Sequence, residues 1–227
     1  MPELRRLNLG CGSAILEGFE NIDRHPGPGI DVATNLDDSH AVHLPYGEDS
    51  VDFVFASHLI EHIRYPLVLM EELYRVAKPT CEAVFRCPYG STDDAWEDPT
   101  HVRPMFHGSW GYFGQPHYWN KDYLYTGDWQ ATRIQLVVRA DAVKADTVRR
   151  AGLGEEAAMN QIGLLITQAR NIVAEMIVTM RVCKPARERH RDLQERPNIV
   201  FELPEVEPEA PPKPELWVPE GSSGIVL

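Results

Sequence analysis

The sequence predicts an α/β protein built on a doubly wound, mostly parallel sheet that ends in an antiparallel strand. Three observations carry this. A short apolar run, Leu7 to Leu9, breaks abruptly at Gly10-Cys11-Gly12, the pattern of a buried strand leaving its sheet through backbone conformations closed to residues with a Cβ. A near-continuous apolar run from Val51 to Ser57 suits a strand buried on both faces, and it leads into apolar residues recurring at three and four. Finally, 227 residues with 43% hydrophobic content suit a single domain with a substantial core and a polar remainder.

The elements follow in order. The first strand is expected at about 5 to 9 and the second at about 19 to 23. A parallel crossover with a full helix takes a dozen or more residues, so the helix between these strands is predicted to be a turn or two at most. Residues 30 to 36 read as a third strand and Val51 to Ser57 as a fourth. Arg64 to Ala77 reads as an amphipathic helix, with Leu67, Met70, Leu73, Tyr74 and Ala77 on its apolar stripe and Lys78-Pro79 as its stop. Glu82 to Cys87 gives strand five. Tyr123 to Val138 gives strand six, irregular near Gly127-Asp128, and Val143 to Ala151 a helix. Ala157 to Gln168 fits helix or strand equally. Asn171 to Lys184, rich in β-branched residues, suits the closing antiparallel strand, with a helix as the competing assignment.

Between strands five and six, residues 90 to 129 hold ten of the chain's twenty aromatics and carry excess negative charge. Such a segment is read as an insertion packing over the carboxyl ends of the strands, where ligands of doubly wound sheets bind. The acidic balance disfavours a phosphate-gripping platform for single-stranded nucleic acid. The domain is expected to run over 1–190. Residues 191–227 are expected to form an acidic, proline-rich tail, disordered or loosely packed.

Net charge is −12, of which the tail supplies 5. Duplex DNA or long RNA meets net repulsion, and the basic clusters are confined to Arg149-Arg150 and Arg187 to Arg196. A small-molecule acceptor is the partner expected, not nucleic acid; oligomeric state is not readable. No apolar run is long enough for a membrane span, and the start MPELRRLNLG lacks the layout of an export signal, so a cytoplasmic protein is expected. The four cysteines form no CxxC pair and are read as free thiols.

The stretch LNLGCGSAILEGFENID places Asp23 about a dozen residues after the glycine turn, at the end of a second apolar run. Glycines there bring backbone amides against a ligand, and a carboxylate at that distance can accept both hydroxyls of a ribose. Downstream come Asn35-Leu36-Asp37-Asp38, then Leu44-Pro45-Tyr46, then VDFVFASHLIEH. As an ordered set over roughly residues 5 to 90, these pieces resemble the class I S-adenosylmethionine-dependent methyltransferases, in particular small members with LNLGCG, LPF and HxxEH signatures. The resemblance implies a Rossmann-like fold, S-adenosyl-L-methionine as cofactor, and methyl transfer. It assigns Leu9, Gly10, Cys11 and Gly12 to the methionine and ribose side, Asp23 with Arg24 to the ribose, Asn35, Leu36 and Asp37 to the adenine edge, and His58 and Leu59 to the sulfonium side. It also marks departures: Asn8 stands where many members place an acid, Ala14 where a third glycine is common, and Asn35 where Asp is usual. An Asn carbonyl still accepts from the adenine amino group.

The spelling HxxEH from His58 to His62 also matches an inverted zinc-peptidase signature. That chemistry wants both imidazoles on one helical face and a third ligand downstream. Here the motif starts at a strand end, and the same letters occur in the family without metal, so no metal is expected. Glu61 and His62 read as the start of the following helix, the acid complementing the positive end of its dipole.

On the acceptor side, Asp98-Pro99-Thr100-His101 lies beyond strand five, and His101 is the candidate catalytic base, histidine titrating near neutrality. The competing reading has His101 ordering the insertion through hydrogen bonds. Tyr89, His107 and His117 are weaker candidates of the same kind. The function expected is transfer to an oxygen or nitrogen of a metabolite, sugar or nucleotide. The departures at Asn8, Ala14 and Asn35 motivate an alternative, a catalytically inactive S-adenosylmethionine-binding interaction protein.

Overall fold

A computed structural model of the protein describes residues 4–139 and 155–202. Eight strands form one sheet: β1 (Arg6–Leu9), β2 (Glu20–Asp23), β3 (Val32–Ala33), β4 (Val51–Ser57), β5 (Ala77–Pro88), β6 (Trp129–Val138), β7 (Val173–Val182) and β8 (Asn198–Glu202), in the order β3-β2-β1-β4-β5-β7-β6-β8. All are parallel except β7, which runs antiparallel between β5 and β6. The helices are α1 (Pro66–Val76), a single turn α2 (Asp94–Glu97) and α3 (Glu155–Gln168). The antiparallel closing strand is therefore β7, and the segment 157–168 is helical. The helix expected over Val143 to Ala151 lies outside the described residues.

The β1–β2 connection contains no helix at all. Asn8 and Asn21, both buried, replace it: Asn8 Nδ2 donates to Asn21 Oδ1 and to the Ala14 carbonyl, both at 2.9 Å, while Asn21 Oδ1 accepts from the Leu16 amide. Two side-chain amides thus satisfy backbone groups that a helix would satisfy internally. The third strand shrinks to Val32–Ala33, because after Thr34 the chain turns through Asn35, whose Oδ1 accepts from the Asp37 amide at 3.1 Å.

α1 begins two residues later than expected, with Pro66 in its first turn, and ends at Val76. Its buried stripe is Leu69, Met70, Leu73 and Val76, all fully inaccessible, whereas Leu67 and Tyr74 are half-buried at its margins. The backbone is already extended at Ala77, which pairs with Val51, so β5 is longer than expected and includes Lys78-Pro79. Leu44-Pro45-Tyr46 docks on α1: buried Glu72 accepts from the Leu44 amide at 2.7 Å, and Arg75 donates to the Tyr46 carbonyl at 2.9 Å.

The aromatic insertion divides in two. Residues 107–118 form two 3-10 turns that pack on the sheet, with Trp110 fully buried 5.3 Å from the Phe85 ring, so this half is core and not a cover for the site. The half from about 91 to 107 meets the carboxyl ends of the strands, where the Val102 amide donates to the Glu61 carbonyl and the Gly90 amide to the Met105 carbonyl. Strand six starts later than expected because residues 123–128 are a pinned loop. Buried Asp128 accepts from the Gln115 amide and from the Arg187 backbone and guanidinium, and Tyr125 donates to the Phe113 carbonyl.

The expected tail boundary at 191 also moves. A 3-10 turn at Arg191–Leu193 leads into β8, which pairs in parallel with β6, and half-buried Phe201 reaches the core. Dense charge between 186 and 196 hides this short strand in the sequence. Residues from 203 lie outside the described residues. Among the described residues, no helix is long and apolar enough to cross a membrane.

Candidate active site

The carboxyl ends of β1, β2, β4 and β5 meet the amino end of β7 at one rim of the sheet. At β1 the chain turns through Gly10 (φ +61°) and Gly12 (φ +52°), a left-handed backbone that favours glycine. A Cβ on Gly10 would lie 2.7 Å from Leu59 Cδ1, while one on Gly12 would meet nothing within 4 Å. The turn is thus walled by Leu59 on one side and open on the other. Leu9 is fully buried and offers only backbone; the Cys11 thiol is buried, and desolvation followed by the Asp23 charge raises its pKa.

Asp23, half-buried at the end of β2, accepts from the Gly12 amide at 2.9 Å and the His25 amide at 3.2 Å. One carboxylate therefore ties the glycine turn to β2, and each oxygen keeps a lone pair for a ligand hydroxyl. Arg24 is exposed beside it. Asn35 is exposed in its own turn and Leu36 is buried. Asp37 is occupied elsewhere: its carboxylate accepts from the Arg64 amide at 2.7 Å and the Tyr65 amide at 3.3 Å and pairs with the Arg64 guanidinium. It caps the approach to α1, a helix whose N-cap has no side-chain bond of its own.

His58 leaves β4 with φ +52°, a rare conformation for a residue with a side chain. Its Nε2 lies 3.1 Å from Glu175 Oε1 on β7, and its Nδ1 lies 3.2 Å from Glu61 Oε1, the second at ion-pair distance without hydrogen-bond alignment. Glu61 chiefly, then Glu175, raises the imidazole pKa against the opposing effect of burial. Arg86 in turn pairs with Glu175 at 2.5 Å.

Glu61 and His62 sit in a 3-10 turn, Ile60–His62, four residues before α1. They do not open that helix, so Glu61 does not complement its dipole; its side chain is buried. The insertion docks directly on it, the Val102 amide donating to the Glu61 carbonyl at 2.8 Å. This brings His101 against His62, ring centroids 4.7 Å apart in an edge-to-face arrangement. The His101 side chain is 9% exposed, its Nε2 is 3.8 Å from Asp98 Oδ2, and its Nδ1 is buried without a hydrogen-bond partner. Asp98 is held below the usual carboxylate range by the Thr100 hydroxyl and amide.

Of the weaker candidates, Tyr89 at the end of β5 is 3.0 Å from His107 Nδ1 through its hydroxyl. His117 lies on the sheet-packed half of the insertion, and burial lowers its pKa.

Two residues of this site escaped the sequence reading. Glu61 was visible inside HxxEH, but only the missing helix reveals it as a buried carboxylate facing His58 and His101. Glu175 arrives from β7, with no local signal linking it to His58.

Residues 21–85 match a family model described as a methyltransferase domain. Among solved structures, a SAM-dependent methyltransferase from Archaeoglobus fulgidus is 15% identical with a TM-score of 0.52, covering 78% of this chain and 86% of that chain. One from Mesorhizobium loti is 15% identical with a TM-score of 0.45, over 80% and 93% of the two chains. A putative methyltransferase in complex with the Haloferax volcanii Trm112 activator is 14% identical with a TM-score of 0.44, over 81% and 85%. No curated protein matches the chain. The mostly parallel sheet with β7 reversed between β5 and β6 is thus a methyltransferase-like fold, and the methyltransferase-domain match runs from β2 to within β5. The residues at the rim fit S-adenosylmethionine: a glycine turn open at Gly12 and a carboxylate able to accept ribose hydroxyls.

Proposed function

We propose that the protein is an S-adenosylmethionine-dependent methyltransferase that methylates an oxygen or nitrogen of a small molecule such as a metabolite, sugar or nucleotide, with His101 accepting the acceptor's proton. The bound cofactor supplies a methyl already activated by its sulfonium. The chain's own task is to align the acceptor, exclude water and take up the proton. In this reading the turn from Leu9 to Gly12 holds the methionine and ribose side, Asp23 and Arg24 the ribose, and Asn35 and Leu36 the adenine edge. His58 and Leu59 flank the sulfonium, and Asp37 positions the neighbouring loop through Arg64 and Tyr65.

The observation that carries the proposal is the docking of His101 beside His62 and Glu61, one turn from His58, with an unpartnered Nδ1. A cavity of about 360 Å³, lined by Leu67, Arg103, Met105, Tyr112 and Tyr123 among others, opens between the start of α1 and the insertion and is of small-ligand size. The inactive-binder alternative is not favoured, because one of the departures that motivated it has a structural account: Asn8 bonds the Ala14 carbonyl within the loop that replaces the first helix.

The test is a metabolite panel assayed for S-adenosylhomocysteine release, with calorimetry of cofactor binding on the same preparations. His101→Ala is expected to lower kcat on a confirmed acceptor by about 10²- to 10⁴-fold with cofactor affinity unchanged. Full activity of that variant would remove His101 from the mechanism.

A further inference from the structure

We propose that Glu61, His62 and His101 form a binding site for one divalent transition-metal cation of the zinc class. Each side chain offers one ligating atom, and the three atoms lie within 4.8 Å of one another. Ligands about 2.0–2.2 Å from a common tetrahedral ion are roughly 3.4 Å apart, so side-chain rotations of about 1 Å close the site. The set is not the one suggested by the spelling HxxEH. His58 is held between Glu61 and Glu175, and the third ligand comes from the insertion.

Three features independent of proximity point to a cation. First, Glu61 is 2% exposed and neither of its carboxylate oxygens makes a hydrogen bond. A buried carboxylate in that state is costly unless a positive charge faces it, and His58 addresses only one oxygen. Second, the nitrogens are sorted. His62 Nδ1 is engaged by the Thr100 hydroxyl at 3.0 Å, which leaves Nε2 free. His101 Nε2 faces Asp98, which leaves Nδ1 free and buried. A hydrogen-bonding partner on the far nitrogen, which Thr100 supplies to His62, fixes tautomer and ring angle in metal-ligating histidines, and Asp98 faces the far nitrogen of His101 at the ion-pair distance of 3.8 Å. Third, Thr100 joins both supports, since its hydroxyl also donates to Asp98. Two imidazoles and one carboxylate select zinc-like ions over magnesium or calcium, and three protein ligands leave a position for water or an acceptor atom.

A consequence rests on the functional reading above. The His101 Nδ1 lone pair cannot bind a cation and accept a proton at once, so the metal-loaded enzyme lacks its base and transfer is inhibited by zinc.

The probe is Co2+ added to the full, chelator-stripped chain and followed by visible absorption and equilibrium dialysis, with Zn2+ as competitor. One Co2+ per chain with a ligand-field band displaced by Zn2+ is expected. Glu61→Gln, His62→Gln and His101→Asn should each weaken it by about 100-fold or more, and Thr100→Val by about 10- to 100-fold. Circular dichroism confirms the fold; half-exposed His62 is the substitution best tolerated. Absence of a stoichiometric band, or binding unchanged in folded His62→Gln and His101→Asn, overturns the site. Because this readout needs neither acceptor nor cofactor, it separates the two proposals. Metal binding lost in His101→Asn while metal-free transfer persists keeps the site and removes the base; metal binding absent while His101→Ala abolishes transfer does the reverse.

Discussion

At the scale of single residues, the glycine turn proposed to hold the cofactor depends on two backbone torsions and one carboxylate. Gly10 holds φ +61° with Leu59 packed where a Cβ would go. A side chain there meets both left-handed strain of about 1–2 kcal/mol and a direct overlap. Gly10→Val is therefore expected to lower affinity for S-adenosylhomocysteine by about tenfold or more, read by calorimetry on protein with a native circular dichroism spectrum. Gly12→Ala, with open space around its Cβ, should lose less. Asp23→Ala removes the acceptor for the Gly12 amide as well as for ribose hydroxyls. At about 1.5–3 kcal/mol for a hydrogen bond to a charged group, affinity is expected to fall by about 10- to 100-fold in the same titration; unchanged binding would locate the ribose elsewhere.

At the scale of elements, legibility followed whether the fixing interactions were local. Val51 to Ser57 is a strand over the residues expected, because its pattern reflects its burial directly. β7 was legible through its β-branched residues, and its reversal agrees with the expected closing strand. The limits of α1 and β5 were not, because the helix passes straight into extended backbone at Ala77, and pairing with Val51 outweighs the proline expected to punctuate it. The Asn8–Asn21 pair was equally hidden: neither residue's neighbours announce a bond across thirteen positions. In the site, the glycine turn and Asp23 were readable because strand, turn and acid follow one another. The Glu61–His101 cluster was not, since the contact depends on a forty-residue excursion returning to the rim. The aromatic segment shows the same limit; composition marked it as ordered, but only packing separates Trp110 in the core from Trp96 at the surface. Trp110→Ala is expected to cost about 3–5 kcal/mol, measured by denaturant unfolding; a loss under 1 kcal/mol would contradict its place against Phe85. Stopping the chain after Pro197 uncovers the edge of β6 and the apolar side of Phe201, so a lower Tm and greater aggregation on heating are expected.

At the scale of the whole molecule, depressed carboxylates join distant parts of the chain. Asp52 is held down by Lys78 and the Arg5 amide, and Asp93 by the Asn171 side chain and then Arg170. An unfolded Asp protonates near about 3.9, and these protonate lower when folded, so the folded state binds fewer protons in that range. Their stabilisation is complete above the unfolded value and is lost as pH falls through the folded one. Thermal scans from pH 7 to pH 3 should therefore show Tm falling at the acid end, with a shallower fall for Asp52→Asn. An equally steep fall in that variant would assign the acid sensitivity to other groups.

β8 runs parallel to β6, and β6 parallel to β5, so the backbone passes Glu202 travelling toward the same rim that holds the glycine turn and His101, whereas it enters β1 at Arg6 from the opposite rim. A fluorescent fusion or immobilising tag spliced ahead of Arg6 consequently projects away from that rim. The same cargo attached directly after Glu202 emerges beside it, about 19 Å of sheet width from β4 at four strand spacings.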